Sequence, residues 1–492
     1  MKRIILLLPI IFFIFFAPFC LAGCKQEENS TKEFHHTNPE FLVLMYLAGD
    51  SNDIYKNLRQ NIIDVSKGLG ANSSSSIQAA ALYDGPPEGD TRIYKILSNR
   101  NATTIDNATQ DVSYTAEWLL DGEADTGSAE TLKNFLLWSK EYYSAEKIIF
   151  IFGTHGFGFS VEEDTTSASN QDLTQRSLAP DFNAGYSIIY SDQIAAAFEA
   201  AGFCGANKIN LLLMDVCLEG SIEEAYELRD TADFLIASEN EIPGAGMPYE
   251  NFIASISTGK NSKSIGTTLV NLYAEKYQAT SYSSWWNGFP SLSLIHLGNM
   301  THLEAAVSSL SDFLTGETEI DFLTPLNTNS FLRTAEKAGN FQNNITFRCM
   351  YYTTKKQGIS PQNYLAPYFY QFDIGVLTDK LEGYAESIES ETEEKERCIS
   401  ELADRIENLR AALEKTIIKS WCGDGETEKG LYPTLNTNRN YYGLSITGNA
   451  EKYTSAYYKH SYYNPYAVSE FAFKRDSTWG TLLEMLFPEE WE

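Results

Sequence analysis

The sequence predicts an α/β fold: a mostly parallel sheet flanked by helices, with an additional α+β C-terminal region. Two observations carry this. Residues 41–47, 148–152 and 209–214 are short apolar runs bounded by turn residues, the pattern of central strands covered on both faces. Strand-like and helix-like segments also alternate along the first half of the chain, as they do in a parallel sheet wrapped by helices.

The elements follow in chain order. Residues 1–23 are a leader rather than part of the fold. Lys2 and Arg3 precede an apolar stretch from Ile4 to Phe19, and Leu21-Ala22-Gly23-Cys24 resembles a bacterial lipobox. The stretch is short for a span of about 20 residues. The expectation is a lipoprotein signal peptide, with Cys24 acylated and residues 24–40 a polar tether. Residues 41–250 are predicted as the core. Strand 41–47 closes on Ala48-Gly49-Asp50-Ser51-Asn52, and a helix runs to about Leu69. Ile77–Tyr83 is a strand stopped by Gly85-Pro86-Pro87, and Arg92–Leu97 is a short alternating strand. Ser128 opens a helix to about Tyr142. Strand 148–152 follows and ends at Gly153-Thr154-His155-Gly156. Residues 161–182 are polar and read as a long loop. A helix is expected at Ser191–Ala200, then strand 209–214 ending at Asp215-Val216-Cys217. Helix Ser221–Leu228 and strand Phe234–Ala237 complete the core.

Residues 251–492 are predicted to complete or pack on that core. They carry a strand at Ser291–Leu297, a helix at His302–Leu314 and a terminal helix at Trp479–Leu486. Residues 441–473 are Tyr-rich and strand-like. One long helix is predicted at about 378–421, with Ile399, Leu402, Ile406, Leu409, Leu413 and Ile417 in a stripe. The stripe is brief, which favours packing on its own domain over a coiled coil with a partner.

Composition bounds the function. A chain of 492 residues allows two or three domains. Its net charge of −29 argues against nucleic acid and anionic membrane surfaces as partners. Besides Cys20 and Cys24, the cysteines are Cys204, Cys217, Cys349, Cys398 and Cys422. That number is odd and there is no C-x-x-C pair, so a structural zinc site is not expected. No organic cofactor is implied; calcium has carboxylates to bind but no EF-hand spacing. A monomer is expected.

The chemistry lies at two strand ends. Ligands and reacting groups collect at the carboxyl ends of parallel strands, and here such ends deliver a histidine and a thiol. Cys217 precedes a helix, whose N–H groups and positive end favour a thiolate. His155 is placed to carry a proton. The N–H groups of Gly156 and Cys217 are candidates for an oxyanion hole, where one donor is typically worth about 2.7–4 kcal/mol.

Ile148–Gly158 and Leu211–Leu228 together resemble the clostripain family of cysteine peptidases, of the caspase-like clan CD. Met45–Asn52 is similar to the family's first strand and acidic turn, Ala237–Gly244 to its segment after the cysteine unit, and Gly443–Ile446 with Thr478-Trp479 to its C-terminal signature. The resemblance implies a caspase-like sheet. It implies His155 as general acid/base, Cys217 as nucleophile, and Asp215 as an acidic group lining a P1 pocket for Arg or Lys. Glu239 or Glu241 is a second acidic candidate, and the choice between them stays open. It also implies self-cleavage between histidine and cysteine, where Arg176 is the basic residue of segment 161–182. Two departures stand out: Val216 replaces a small residue before the nucleophile, and Thr447-Gly448-Asn449 stands where the family has Tyr-Phe-Pro. The expectation is therefore a lipid-anchored, extracytoplasmic cysteine endopeptidase of a bacterial envelope, at the outer membrane, acting on protein or peptide. One alternative is a non-catalytic surface lipoprotein binding glycan or protein through clusters such as Trp285-Trp286 and Tyr457-Tyr458. The other is the same hydrolase with a non-basic P1 preference.

Overall fold

Phe41–Ala48 (β1) is buried at every position, as a strand covered on both faces must be. The computed structural model describes residues 34–51, 53–73, 76–163, 173–185, 187–278, 290–318, 320–323, 371–422, 442–448, 453–454, 461–463, 466, 470–486 and 488. The chain divides into Met1–His35 and His36–Glu492, and the elements below belong to the second unit. The expected leader, Cys24 and the tether to residue 33 lie outside the described residues, as do Cys349 and the two aromatic clusters. Among the described residues no helix is long and apolar enough to cross a membrane.

β1 pairs in parallel with β2 (Ile77–Asp84) on one side and β5 (Lys147–Gly153) on the other. β5 pairs in parallel with β9 (Ile209–Asp215), and β9 with β10 (Ala232–Ala237). β3 (Arg92–Ile96) and β4 (Thr109–Asp111) extend one edge antiparallel. β11 (Ser291–His296) and β13 (Ile417–Cys422) extend the other. The order is β13-β11-β10-β9-β5-β1-β2-β3-β4. Strand order reverses between β1 and β5, and at such a point the carboxyl ends open a crevice.

Alternate residues serve the two faces. Val43, Met45 and Leu47 share a core with Leu58 and Ile62 of helix Tyr55–Ala71, Phe252 of helix Tyr249–Ser255 and Leu269 of helix Ser262–Gln278. The opposite face is aromatic. Tyr46 meets Phe152 edge-on at 5.6 Å and Phe150 meets Phe198 at 5.0 Å between ring centres. Phe135 of helix Ala129–Tyr142 and Phe198 of helix Ser191–Ala200 close this layer. Ser128 caps the first of these helices by accepting from the Glu130 N–H, which satisfies a donor the helix cannot.

Two sequence expectations change. Segment 161–182 is not one loop. β6 (Gly156–Glu163) and β7 (Leu173–Asp181) are antiparallel strands, with 164–172 outside the described residues. They join β8 (Ser187–Ile189), β15 (Tyr453–Thr454) and β16 (Ser461–Tyr463) in a second sheet. Polar residues pair here because distant strands supply the ladder, which overrides weak local strand preference. The helix predicted over 378–421 is divided: helices Ile374–Ser387 and Glu393–Thr416 are followed by β13. Thr392 accepts from the Lys395 N–H and starts the second helix afresh. The β-branched pair Ile417-Ile418 leaves it for the sheet edge, opposite β11. Leu402, Ile406, Leu409 and Leu413 are buried, and the helix packs on helix Met300–Thr315 of the same chain. Finally, β12 (Gln371–Asp373) pairs with β14 (Ser445–Thr447).

Candidate active site

Three adjacent parallel strands end in one row. Leu47 of β1 is opposite Gly153 of β5, and Gly153 is opposite Asp215 of β9. His155 and Cys217 each stand two residues beyond that row. Parallel neighbours lie about 4.8 Å apart, so the two turns are in contact. Gly156 records how close. A Cβ there would fall 2.3 Å from Val216 Cγ1, 2.4 Å from the Cys217 carbonyl oxygen and 2.8 Å from Glu219 Oε1. No side chain fits between the histidine turn and the cysteine turn.

The cysteine turn is strained and held. Leu218 has φ +68°, a conformation that costs an ordinary residue roughly 1–2 kcal/mol. Its side chain is 1% exposed, and burying a leucine contributes about 1.5–3 kcal/mol, enough to offset that strain. The Leu218 N–H donates to the Asn240 carbonyl at 3.1 Å and the Gly220 N–H to the Ser238 carbonyl at 2.8 Å. Ser221 then caps helix Ile222–Glu227 by accepting from the Glu224 N–H.

Cys217 Sγ accepts a hydrogen bond from the Ile242 N–H at 3.3 Å. Burial pushes this thiol above its ordinary range, and the charges of Glu241, Asp215 and Glu219 push the same way against the Ile242 bond. A thiol raised in this way needs a base to take its proton before its sulfur can act as a nucleophile. His155 is half-buried, and its Nε2 lies 3.0 Å from Asp53 Oδ1. Asp53 is in the turn after β1, where the Ser51 hydroxyl also donates to it at 2.6 Å. Its carboxyl is held well below the usual range, first by the His155 bond and then by that of Ser51, with burial opposing.

Asp215 is at the end of β9 and 7% exposed. Its Oδ2 accepts from the Tyr249 hydroxyl at 2.7 Å and from Asn61 Nδ2 at 3.4 Å. Burial raises its pKa against the Tyr249 bond, the nearby Lys276 charge and a bond from the Met247 backbone N–H. Lys276 donates to the carbonyls of Ala245, Gly246 and Met247 at 2.8, 3.0 and 3.3 Å, and the Tyr277 hydroxyl donates to Gly246 at 2.6 Å. Gly246 lies against Asp215; a Cβ there would be 2.7 Å from Oδ2. Glu239 is fully buried, while Glu241 is half-buried beside the thiol. Arg176 is in β7, opposite Ser160 of β6. The structure thus gathers His155, Gly156, Cys217, Asp215 and Glu241 at one sheet edge and sets Arg176 on a strand. Asp53, Ile242, Tyr249 and Lys276 are additions that sequence reading missed. For Asp53 the signal was the acidic turn closing the first strand.

A model of the clostripain family matches residues 45–485. Clostripain from Hathewaya histolytica is 26% identical over 254 residues, 48% of this chain and 46% of its own length, so the match spans about half of that relative. Two solved structures share the fold. A secreted C11 cysteine protease from Bacteroides thetaiotaomicron, in complex with an irreversible peptide inhibitor, covers 84% of this chain and 93% of its own, at 17% identity and TM-score 0.51. An inactive zymogen C11 protease from Parabacteroides distasonis covers 93% and 99%, at 16% identity and TM-score 0.53.

Proposed function

Because this chain belongs to the clostripain family, we propose that it is a cysteine endopeptidase with Cys217 as nucleophile and His155 as general acid/base. The register that leaves both residues two positions past the Gly153–Asp215 pair carries this reading. The imidazole takes the thiol proton as sulfur attacks the peptide carbonyl, then passes it to the leaving amine; water hydrolyses the acyl-enzyme. The N–H groups of Gly156 and Cys217 receive the oxyanion.

Asp215 is proposed as the P1 pocket acid for Arg or Lys, which it would bind through charge-assisted bonds. Glu239 and Glu241 remain second candidates. One observation favours the non-basic alternative: Asp215 already accepts from Tyr249 and Asn61 and lies near Lys276. A fluorogenic peptide panel differing only at P1 decides between them. Preference for Arg and Lys of more than about tenfold in kcat/KM supports the acidic pocket, and equal or better turnover of neutral P1 residues refutes it. Cys217→Ala should lower kcat by more than about 10³-fold. A wild-type chain that turns over no peptide and ignores iodoacetamide would return the chain to the binding-lipoprotein reading.

Acylation of Cys24 and an extracytoplasmic position at the outer membrane belong to the same proposal, supported by the leader sequence and by a secreted relative of this fold. Self-cleavage after Arg176 is proposed with them. It requires β7 to leave its partner β6 first, because a paired strand cannot enter a cleft as an extended substrate. Mass spectrometry after long incubation under reducing conditions, with Cys217→Ala as control, tests it; an intact wild-type chain is the refuting result.

A further inference from the structure

We infer that Asp53 is the positioning residue of the dyad: its carboxylate fixes the His155 ring and stabilises the imidazolium formed when Cys217 gives up its proton. The inference rests on the peptidase reading and adds a third strand end to it. Asp53 follows β1, His155 follows β5 and Cys217 follows β9, and these are neighbours in the sheet. The 3.0 Å contact joins His155 Nε2 to Asp53 Oδ1. An ionised carboxylate only accepts hydrogen bonds, so Nε2 is the donor and Nδ1 is the nitrogen that exchanges the proton with sulfur and leaving amine. That division of the ring is the one a general acid/base needs.

The surroundings favour an ionised Asp53. Ser51 donates to the same oxygen at 2.6 Å, and helix Tyr55–Ala71 begins two residues later, where its positive end favours an anion. Titratable groups on the neighbouring turns include Asp50 and Asp53 after β1, Asp181 at the end of β7, Cys217 and Glu219 of the cysteine turn, and Glu241 after β10. Asp50 is otherwise engaged: it accepts from the Asn183 N–H and faces Asp181. Among the described residues, Asp53 is the group whose side chain bonds the ring.

Asp53 is largely exposed, with 70% of its side chain open to solvent, so its substitution should leave the fold intact. Asp53→Asn, Asp53→Ala and Asp53→Glu are compared with wild type by kcat, KM and the pH profile of kcat/KM. Asn and Ala are expected to lower kcat by roughly tenfold or more, part of the range for general acid–base work, with KM little changed. The acidic limb of the profile should move to lower pH, because the imidazolium has lost its counter-charge, and Glu should restore part of kcat. Unchanged kcat and an unchanged limb in Asp53→Asn would overturn the inference; higher kcat would overturn it in favour of a contact that holds His155 back. Titration of the His155 ring by NMR in a Cys217→Ala background, with and without Asp53→Asn, tests the same role without turnover. A ring pKa that falls on loss of the carboxylate supports it. An unmoved titration refutes the role of Asp53, while failure of the peptidase reading shows separately as an inactive wild type.

Discussion

At the residue scale the sheet edge stores ionisable groups whose protonation differs between folded and unfolded chain. Asp84 ends β2 and is fully buried, accepting from Thr91 Oγ1 at 2.6 Å and Thr126 Oγ1 at 3.2 Å. Burial raises its pKa to about 8, opposed by the Thr91 bond and helped by the charges of Asp181, Glu123 and Asp90. In the unfolded chain the same group ionises near pH 4. Between about pH 4 and 8 the unfolded chain has released this proton and the folded one has not. Stability contributed by the neutral acid is full below that window and falls as pH rises through it. Asp84→Asn keeps the shape and removes the titration. Its melting temperature should therefore fall less than the wild type's between pH 5 and 8, and parallel losses in the two proteins would refute the assignment. Asp53 shows the opposite sign, since its carboxyl is depressed by His155; that pair stabilises above the ordinary carboxylate range and is lost in acid.

At the element scale the proposed catalytic geometry depends on two turns that admit no extra atom. Gly156→Ala places a methyl 2.4 Å from the Cys217 carbonyl oxygen, a backbone atom that cannot rotate aside. Overpacking of this kind costs roughly 1–3 kcal/mol, and here the displaced group is the backbone of Cys217, the proposed nucleophile. The expected result is a modest fall in melting temperature with a fall in kcat and in iodoacetamide reactivity at Cys217 of more than about tenfold. Wild-type reactivity would mean that the two turns yield without consequence. The strands behind these turns were legible because Phe41–Leu47, Ile148–Phe152 and Ile209–Met214 are apolar at every position but Asn210, and a strand buried on both faces leaves that mark. His155 and Cys217 were legible because they stand where those runs stop. β7 was not, since Leu173–Asp181 is polar and becomes a strand only against β6 and β8. β13 was hidden by Ile417, which continues the helical stripe of Leu402, Ile406, Leu409 and Leu413 yet belongs to the sheet edge. Asp53 could not be told from Asp50, because one short acidic turn does not say which carboxylate faces the next strand end.

At the scale of the whole molecule the end of the chain supports the turn that carries Cys217. The Ser445 N–H donates to the Gly220 carbonyl at 2.9 Å. Glu223, in the helix after the cysteine, accepts from the Thr447 N–H at 2.8 Å and from the Tyr466 hydroxyl at 2.9 Å, the latter 243 residues downstream. Trp479 is 1% exposed, and its Nε1 donates to the Thr447 carbonyl at 2.7 Å. The buried carboxyl of Glu223 would be costly to leave without these donors, so the C-terminal strands and helix cannot detach while the cysteine turn stays folded. Trp479→Ala removes a large buried ring, a loss of about 3–5 kcal/mol, and with it the bond that holds Thr447 in place. The expected outcome is one unfolding transition at lower temperature, with far-UV signal and Cys217 exposure to iodoacetamide moving together. Trp479→Phe, which keeps most of the packing and loses the indole donor, should fall between the two. If residues 445–486 were instead an independent layer, Trp479→Ala would split the melt and leave the cysteine turn protected to the wild-type temperature, and the coupling drawn through Glu223 would be wrong.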